Sequence, residues 1–510
     1  MARFLPVSTS LYSVALAVTV ALTLSTLSAC HAPPPKMPEP PRDLPQSYDN
    51  LTKQPTQDVV NLQNLDAKAL ALELSQWWKV FDDPLLDDLV NRVIEANWDL
   101  QIAAQRIDGA IARVAMIEAG ALPTVAGVAS AARTEVGTTI RTPFGLYNEF
   151  GFRAQLAWEP DVFGKVAAKA QAAQSEQAAL EADRRAIMVA MTAEMVIVYA
   201  QLRAVQKRLA LTEKFAELVG RELALTKDLF THGLVPAQAV LSLQRQYAQA
   251  KSAIPILQSR IDILMTTGSI LTGGYPNALK AQLSKPGPML SVKKPLPATL
   301  PSQLLKQRPD ISAQEQRMLA SLSEIDAANA EFLPQFAIPM AIGYNTMPFS
   351  LLLNPASFLW NIATAAAVPF YTGGYLEANL QLAQSISKEN QLEYERVVRQ
   401  ALAEVEDSVA GYQGATAALV LLDDMQKKQQ AIVVRERKLF DKGLQAKFAL
   451  YQAQLALTQI DEGIVDAQYE TAVELTAIYK ALGGGWAPPA EVSMSPDQKS
   501  SCVSDGDSGC

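Results

Sequence analysis

The sequence predicts an α+β membrane protein in which several copies of the chain share one β-barrel and one tube of long helices. Three observations support this fold class. The chain repeats itself after about 210 residues, each copy carries two short alternating strands, and each copy carries a very long segment free of proline. A unit of this length is too long for a solenoid repeat, so we interpret the chain as two copies of one large structural element.

The repeat is clearest where LFTHGL at 229–234 returns as LFDKGL at 439–444. Shorter matches occur at an offset of 210 or 211 residues. They pair Gly164 with Gly374, Glu194 with Glu404, Gly273-Gly274 with Gly483-Gly484, Leu122-Pro123 with Leu333-Pro334, and Asp99-Leu100 with Asp310-Ile311. Because these matches keep their order, we expect the same order of helices and strands in both copies.

The N-terminus predicts a lipid anchor. Residues 1–29 combine Arg3, an apolar run and small residues that end at a cysteine, which is the pattern of an export signal. The segment LSAC at 27–30 resembles a bacterial lipobox, so we expect cleavage before Cys30 and a covalent lipid on that residue, with no other cofactor. An ordinary signal peptide or an N-terminal membrane helix is the alternative. His31, where Asp would retain a lipoprotein elsewhere, favours the outer membrane by resemblance to sorted lipoproteins.

Composition argues against several classes of function. A formal net charge of −8 and a pI near 5.2 disfavour a nucleic-acid partner. The two histidines, His31 and His232, supply no metal cluster and no catalytic triad, so we expect no enzyme. If Cys30 carries lipid, Cys502 and Cys510 are left in the polar tail, where they pair or stay free. We also find no later segment with the roughly 20 apolar residues of a transmembrane helix.

Alternating segments predict strands with one apolar and one polar face. The clearest segment is 150–159, in which Phe150, Phe152, Ala154, Leu156 and Trp158 share one face. Segments 336–345 and 358–368 of the second copy alternate in the same way, with the period of two that is typical of strands. Pro339 lies inside one of them and is tolerable at a bulge or near the rim of a sheet.

The helices have recognisable starts. Asp83 predicts the N-cap and Pro84 the first residue of a helix that runs to about Gly120. Trp77 and Trp78 come just before it, and we expect them to pack in an equatorial belt rather than to bind a ligand. The helix has a counterpart in the second copy, which follows the linker 272–301.

The long segments 165–230 and 375–440 each predict a single helix of about 100 Å. Apolar residues near 3.5-residue spacing indicate coiled-coil packing, diluted by Thr, Ala, Gln and Glu. Gly233 and Gly443 predict the caps that end these helices, and shorter returning helices follow. We expect Pro255 to kink the first of them.

The strand count predicts an oligomer. Four strands cannot close a barrel, and open strand edges are not tolerated in lipid. The smallest membrane barrels use about 8 strands, so several chains must contribute, and three chains would supply 12. Helices of this length, with diluted apolar stripes on both flanks, require neighbours from other chains for the same reason.

These features together resemble one family. The motifs are LSAC at 27–30, WWKVFDDPLL at 77–86, WEPDVFGK at 158–165, RPDI at 308–311, PFYTGG at 369–374 and EV at 404–405. In this order the chain resembles the outer-membrane factors, the TolC-like family, and most of all the NodT-type lipoprotein channels of resistance–nodulation–division efflux systems. The resemblance implies a homotrimer with a 12-stranded barrel in the outer membrane, four strands per chain, continued by a periplasmic α-helical barrel. It also implies a periplasmic membrane-fusion adaptor and an inner-membrane pump as partners, besides outer-membrane lipids.

The predicted division of the chain follows the repeats. The segments are a signal peptide at 1–29, an acylated lead-in at 30–69, repeat 1 at 70–271, an equatorial linker at 272–301, repeat 2 at 302–485 and a polar tail, expected to be disordered, at 486–510. The function predicted is a passive exit duct for small molecules such as drugs and toxic organic compounds. The alternatives are a protein-secretion channel and a lipid-anchored periplasmic scaffold without a channel.

The candidate site residues lie mostly where the long helices end. By resemblance, the adaptor docks on two helix–helix turns, which we call the tip turns: Gly233, Leu234, Val235 and Gly443, Leu444, Gln445. Relatives place acidic residues of the aperture where this chain has Ala449 and Gln452, and some use Arg where this chain has Gln445. Asp441 and Lys442 are possible substitutes, although a solvated helix end is the simpler interpretation. Trp158 is a candidate aromatic residue of the membrane interface, with core packing as the alternative.

Overall fold

The computed structural model describes residues 59–61, 74–135, 145–291, 296–298 and 307–486. Of 59–61 and 296–298 it describes the backbone. The predicted signal peptide, Cys30 and the C-terminal cysteines lie outside the described residues. The α-helices are α1 Pro84–Ala96, α2 Trp98–Glu118, α3 Lys165–Thr231, α4 Ala237–Leu271, α5 Lys280–Leu283, α6 Pro309–Ala330, α7 Tyr375–Asp441 and α8 Lys447–Ala481. The strands are β1 Val59–Asn61, β2 Thr124–Glu135, β3 Leu146–Trp158, β4 Leu296–Ala298, β5 Gln335–Thr346, β6 Phe358–Ile362 and β7 Ala365–Ala367.

The two long helices are confirmed. Helices α3 and α7 have 67 residues each, which corresponds to about 100 Å. The returning helices α4 and α8 have 35 residues each, and α4 continues through Pro255. Proline near the middle of a long helix removes one hydrogen bond but leaves the rest of the ladder to hold both halves.

The strands form one antiparallel sheet in the order β2-β3-β5-β6, and β7 also pairs with β5. Each repeat therefore contributes two strands, and the two hairpin-like pairs meet at β3 and β5. In addition, β1 of the lead-in pairs in parallel with β4 of the linker, so two segments far apart in sequence are joined there.

The predicted strand 358–368 is divided into β6 and β7, and Pro339 explains the division. The register of both short strands on β5 places Ala363 opposite Pro339. The amide of Ala363 donates to the Pro339 carbonyl at 3.0 Å, but proline has no N–H to return the second bond of this pair. The register is unchanged on both sides, so this position is not a bulge.

The first predicted helix is also divided. Asp83 caps α1 as predicted, because its carboxylate accepts from the amides of Leu85 and Leu86 at 2.9 and 3.3 Å. The prediction of one helix to Gly120 was wrong, because α1 ends before Asn97 and α2 begins after it. The Asn97 side chain caps α2 by accepting from the Asp99 amide at 2.9 Å.

Asn97 and Arg308 play the same part in the two repeats. The amide of Asn97 donates to the Leu271 carbonyl at 2.9 Å, and the guanidinium of Arg308 donates to the Ala481 carbonyl at 3.0 Å. Leu271 and Ala481 are the last residues of α4 and α8, so each side chain satisfies a carbonyl that the helix leaves without an internal partner. Arg308 also forms an ion pair with Glu404 at 2.8 Å.

The chain has two compact units, and each contains parts of both repeats. Unit 1 holds the sheet, α2, α6 and the adjoining parts of α3 and α7. Side-chain contacts order its helices as α2-α3-α6-α7. Gln174 bonds Glu118 between α3 and α2, Arg317 pairs with Asp183 between α6 and α3, and Gln314 bonds the Asn390 carbonyl between α6 and α7. Helices α2 and α7 thus form the two edges.

Unit 2 holds α1, α4, α8 and the remaining parts of α3 and α7. Polar contacts order four of its helices as α4-α3-α8-α7: Arg260 bonds Gln201, Arg208 pairs with Asp466, and Gln426 bonds Asp461. Trp77 and Trp78 are buried in this unit, and Trp77 stacks on Tyr479 with 5.1 Å between ring centroids. Both tryptophans therefore pack in the core of unit 2, and their place in an equatorial belt stays a prediction.

A buried polar group fastens the linker after α5 to α3. Arg203 donates to the Lys285 carbonyl at 2.8 Å and to the Tyr199 hydroxyl at 3.0 Å, and Tyr199 donates to Asp83 at 2.6 Å. Burial, followed by the hydrogen bond to Asp83, raises the pKa of Tyr199 to about 12, so the phenol keeps the proton that this bond needs.

One window of 18 residues in α3 is apolar enough, by length and composition, to cross a membrane. The prediction that no such segment follows residue 30 was therefore wrong. Half of the window is buried inside the chain, and core helices commonly reach this hydropathy. Packing against neighbouring helices accounts for the apolar composition of α3.

Candidate functional site

The tip turns have the same backbone geometry in both repeats. Gly233 and Gly443 have positive φ angles of 73° and 69°, which favour glycine. The amides of Gly233 and Leu234 donate to the carbonyls of Phe230 and Leu229, both at 2.9 Å. The second turn has the same two bonds at 2.8 and 2.9 Å. This is the Schellman arrangement, so the predicted glycine caps are present.

The leucines of the tip turns point into solvent. Leu234 is 69% exposed and Leu444 is 71% exposed, although a leucine at this position of a Schellman turn usually packs back on its helix. Val235 is half-buried and Gln445 is exposed. Each turn therefore presents an apolar side chain on a backbone that its own hydrogen bonds hold in place, which suits contact with another protein.

The four candidate aperture residues lie on both sides of the second tip turn, at the end of α7 and on α8. Asp441 and Lys442 are exposed at the end of α7, and Ala449 is half-buried on α8. Gln452 instead donates from its amide to the carboxylate of Glu222 on α3, at 2.8 Å. This bond joins the long helix of repeat 1 to the returning helix of repeat 2, near both tip turns in sequence.

Glu222 was not among the site residues predicted from the sequence. It is fully buried, and its second carboxylate oxygen has no hydrogen-bond partner. The same region of α3 supplies Val219 and Leu223 to an apolar cluster with Tyr451 and Leu455 of α8. Burial raises the pKa of Glu222, while the bond from Gln452 lowers it. In the sequence, Glu222 is one acidic residue beside the apolar stripe of α3. Acidic residues on a solvated helix face give the same pattern, so the sequence did not single it out.

The sheet has the predicted apolar face. Residues directly opposite in an antiparallel sheet share a face. Phe152 lies opposite Ala129 of β2 and Tyr344 of β5, and Ile342 lies opposite Trp360 of β6. Large apolar side chains on this face are exposed in the chain, and they include Val125, Phe152, Ile342, Trp360 and Ile362. An exposed apolar face across the whole sheet is a surface for lipid.

The opposite face of the sheet is polar. Asn345 of β5 donates to the Glu149 carboxylate of β3 at 2.8 Å. Arg153 lies on the same face, opposite Val128 and Gly343. An apolar outer face and a polar inner face are the pattern of a membrane barrel around water.

Trp158 lies at the end of β3, where the sheet passes to the loop before α3. The residue is 37% exposed, and its indole nitrogen donates to the Ala121 carbonyl at 2.9 Å. A half-exposed ring with a satisfied N–H suits a membrane interface. The same bond also links the end of β3 to the turn before β2, so Trp158 contributes to the local structure as well.

Among the described residues, no group of three or more His, Cys, Asp or Glu side chains lies close enough to hold a metal ion.

An amphipathic sheet, in which β6 and β7 share the fourth position, joined to paired long helices defines a subunit of a barrel-forming outer-membrane channel. The model of the family "Outer membrane efflux protein" matches residues 89–263 and 300–484. The chain belongs to this family, and the resemblance inferred from the motifs is confirmed.

Individual relatives are distant but cover most of the chain. The chain is 26% identical to "Solvent efflux pump outer membrane protein SrpC" of Pseudomonas putida over 426 residues, which is 83% of this chain and 90% of SrpC. It is 25% identical to "Probable outer membrane lipoprotein SilC" of Salmonella typhimurium over 91% of this chain and 97% of SilC. The structure of the outer-membrane channel OprN superposes with a TM-score of 0.80 at 25% identity, over 90% of this chain and all of that one.

Proposed function

We propose that the chain forms the outer-membrane exit duct of a tripartite efflux system, which passively conducts small molecules delivered by an inner-membrane pump and a periplasmic adaptor. The observation that carries the proposal is the amphipathic sheet with two open edges in a member of the outer membrane efflux family. A scaffold has no use for such a sheet, and a barrel in lipid needs one. Membership of this family favours efflux over protein secretion.

The duct is a homotrimer with a 12-stranded barrel. Each chain leaves β2 and β6 at the open edges of its sheet. Four strands per chain cannot close, and three chains together reach a size that membrane barrels adopt. A head-to-tail ring joins β6 of one chain to β2 of the next and closes after the third copy.

The helices of unit 2 support the same ring. Ile256, Ile263 and Ile270 on α4 are exposed and separated by seven residues. Met425 and Ile432 on α7 have the same spacing and are exposed as well. Heptad stripes are the surface that coiled-coil partners bury, and α4 and α7 are the edge helices of this unit. The ring brings α7 of one chain against α4 of the next.

Energy for transport comes from the pump, and this protein supplies a water-filled path with a gate near the tip turns. The adaptor docks on the tip turns, where Leu234 and Leu444 offer apolar anchors. Binding there shifts helices that can slide past each other. SrpC is named for solvent efflux, so small organic compounds are the first cargo to test here. Lipid on Cys30 adds a second attachment to the outer membrane.

Electron microscopy of the lipoprotein extracted from outer membranes tests the duct. We expect a three-fold particle with a detergent belt and helices of about 100 Å. Monomers, or filaments without a belt, would refute the barrel.

Adaptor docking is tested by substitution at one tip turn. Gly443→Trp is expected to leave the trimer intact and to abolish drug resistance, because the indole covers the turn. Gly443→Asn is the matched control, since asparagine also tolerates a positive φ and is small. Both trimers are checked by microscopy. Unchanged resistance in the Trp variant, or equal loss in the Asn variant, would contradict docking at this turn.

A further inference from the structure

Within one chain, an ion pair joins the two repeats across helices α3 and α6. The guanidinium of Arg317 on α6 binds the carboxylate of Asp183 on α3. Both side chains are one-third exposed, so the pair lies on the surface of unit 1. Repeat 1 contributes the acid and repeat 2 contributes the base. In a ring of such chains, repeat 2 of one chain lies beside repeat 1 of the next chain. At that junction repeat 2 supplies the acid and repeat 1 supplies the base.

The repeat identifies the equivalent residues at that junction. Helices α2 and α6 align at an offset of 211 residues, and Gln105-Arg106 matches Gln316-Arg317. Helices α3 and α7 align at an offset of 210 residues, and Asp183 matches Glu393. The base and the acid of the in-chain pair thus return as Arg106 on α2 and Glu393 on α7. These helices are the two edges of the helical layer in unit 1.

Burial shows which edge of α7 lacks a partner. On α3, Ala172 and Ala182 are buried, with 4% and 1% of their surface exposed. Their equivalents on α7 are Leu382 and Leu392, which are 59% and 55% exposed. Larger apolar side chains stand in place of alanine there, yet nothing in the part of the chain that the structure describes covers them.

Helix α2 shows the matching difference from α6. Ala327 on α6 is 1% exposed, and its equivalent on α2, Met116, is 72% exposed. Arg106 makes no hydrogen bond or ion pair with any residue that the structure describes. The edges of α2 and α7 thus carry complementary features: exposed apolar side chains on both, a cation on one and an anion on the other.

We infer that Arg106 of one copy binds Glu393 of the next copy, so that the junction between chains repeats the Arg–carboxylate pair that joins the two repeats within a chain. The occupant of the α2 edge is therefore a second copy of this chain. The inference rests on the proposed ring and adds to it the pairing of its helical layer.

Glu393 already binds one cation on its own helix. Arg396, one turn away on α7, donates from Nε to one carboxylate oxygen of Glu393 at 2.8 Å and from a terminal nitrogen to the other oxygen, which lowers the pKa of Glu393. A carboxylate has about four acceptor positions, so it can bind both guanidinium groups at once. The in-chain equivalent of Arg396 is Ala186, so Asp183 has no cation at that position of its own helix.

Crosslinking in the intact lipoprotein tests the pairing. Arg106→Cys and Glu393→Cys are combined in a chain whose Cys502 and Cys510 are replaced by Ser, and the outer membranes are treated with a short bismaleimide. We expect covalent dimers and trimers on denaturing gels. The matched control replaces Arg106→Cys by Asp108→Cys, which lies on another face of α2 and should give monomers.

Charge reversal provides the second readout, in trimers isolated in detergent. Arg106→Glu and Glu393→Arg are each expected to speed trimer dissociation about fivefold per junction, and the combined variant is expected to restore the original rate. Crosslinked ladders together with this rescue would support the inference. Stable trimers that give no ladder and no rescue would overturn the inference while leaving the proposed duct in place. Monomers in every sample, with the native sequence included, would overturn both.

Discussion

Glu222 offers a direct test of how the region above the tip turns is held together. In Glu222→Gln, the oxygen that accepts from Gln452 is kept, while the oxygen without a partner becomes a neutral amide. A buried polar group without a partner costs about 1–3 kcal/mol, and a charged one costs more. The new amide is also left without a partner, so the substitution recovers only part of this cost. We expect it to raise the free energy of local opening by about 1 kcal/mol, which lowers the opening equilibrium constant roughly fivefold.

The pH dependence has a definite sign. Burial raises the pKa of Glu222 in the folded protein above the ordinary value of 4.5. Below that value both states are protonated. As the pH rises from there, the unfolded state loses its proton first, so local stability falls until the folded carboxyl also ionises. The stabilising effect of Glu222→Gln should therefore be present at pH 7 and should fade as the pH approaches 4.5.

Hydrogen exchange of peptides from 217–243, corrected for the intrinsic exchange rate, measures this opening in the assembled protein. The control is Glu217→Gln, on an exposed face of the same helix, which should change the opening free energy by no more than about 0.5 kcal/mol. Faster exchange in Glu222→Gln at pH 7 would refute the reasoning, and so would equal slowing in the control.

Three further substitutions are checked by thermal unfolding in detergent. Gly273→Ala should cost about 3–5 kcal/mol, because a Cβ there would lie 2.2 Å from the Ala96 carbonyl at a φ of 75°. Gly233→Ala, at a φ of 73° with nothing within 4 Å, should cost only the conformational term of about 1–2 kcal/mol, and equal losses would contradict the argument from contact. Asn97→Ala should cost about 1–2 kcal/mol, because α2 loses its cap and the Leu271 carbonyl loses its donor; an unchanged midpoint would contradict that role.

Several features of the fold could be predicted because their signals lie within a few residues. Asp83 and Pro84 mark a helix start through local capping chemistry, and Gly233 and Gly443 mark helix ends because they adopt a positive φ. The 67 proline-free residues of α3 needed no tertiary information to be recognised as one helix. The motifs were sufficient for the family, since each was weak alone but their order and spacing matched along most of the chain.

The apolar and polar faces of the strands could also be predicted from alternation alone, whereas the register of their hydrogen-bonded pairing could not. Pro339 was visible in the sequence, but only the register shows that it faces Ala363 and divides the neighbouring strand. Likewise, Asn97 carries a typical capping side chain, but the helix predicted to start at Pro84 ran through it to about Gly120. The carbonyl of Leu271, supplied by a distant segment, makes the break favourable.

The sequence by itself determined the class of the protein: its repeats, its long helices, its amphipathic strands and the need for more than one chain. Each of these depends on periodicity or on a local conformational preference, which short stretches of sequence encode. Only the tertiary structure decided that Glu222 is buried against Gln452 and that Arg317 meets Asp183. Such contacts join residues more than a hundred positions apart, and their energies depend on burial, which no local pattern specifies.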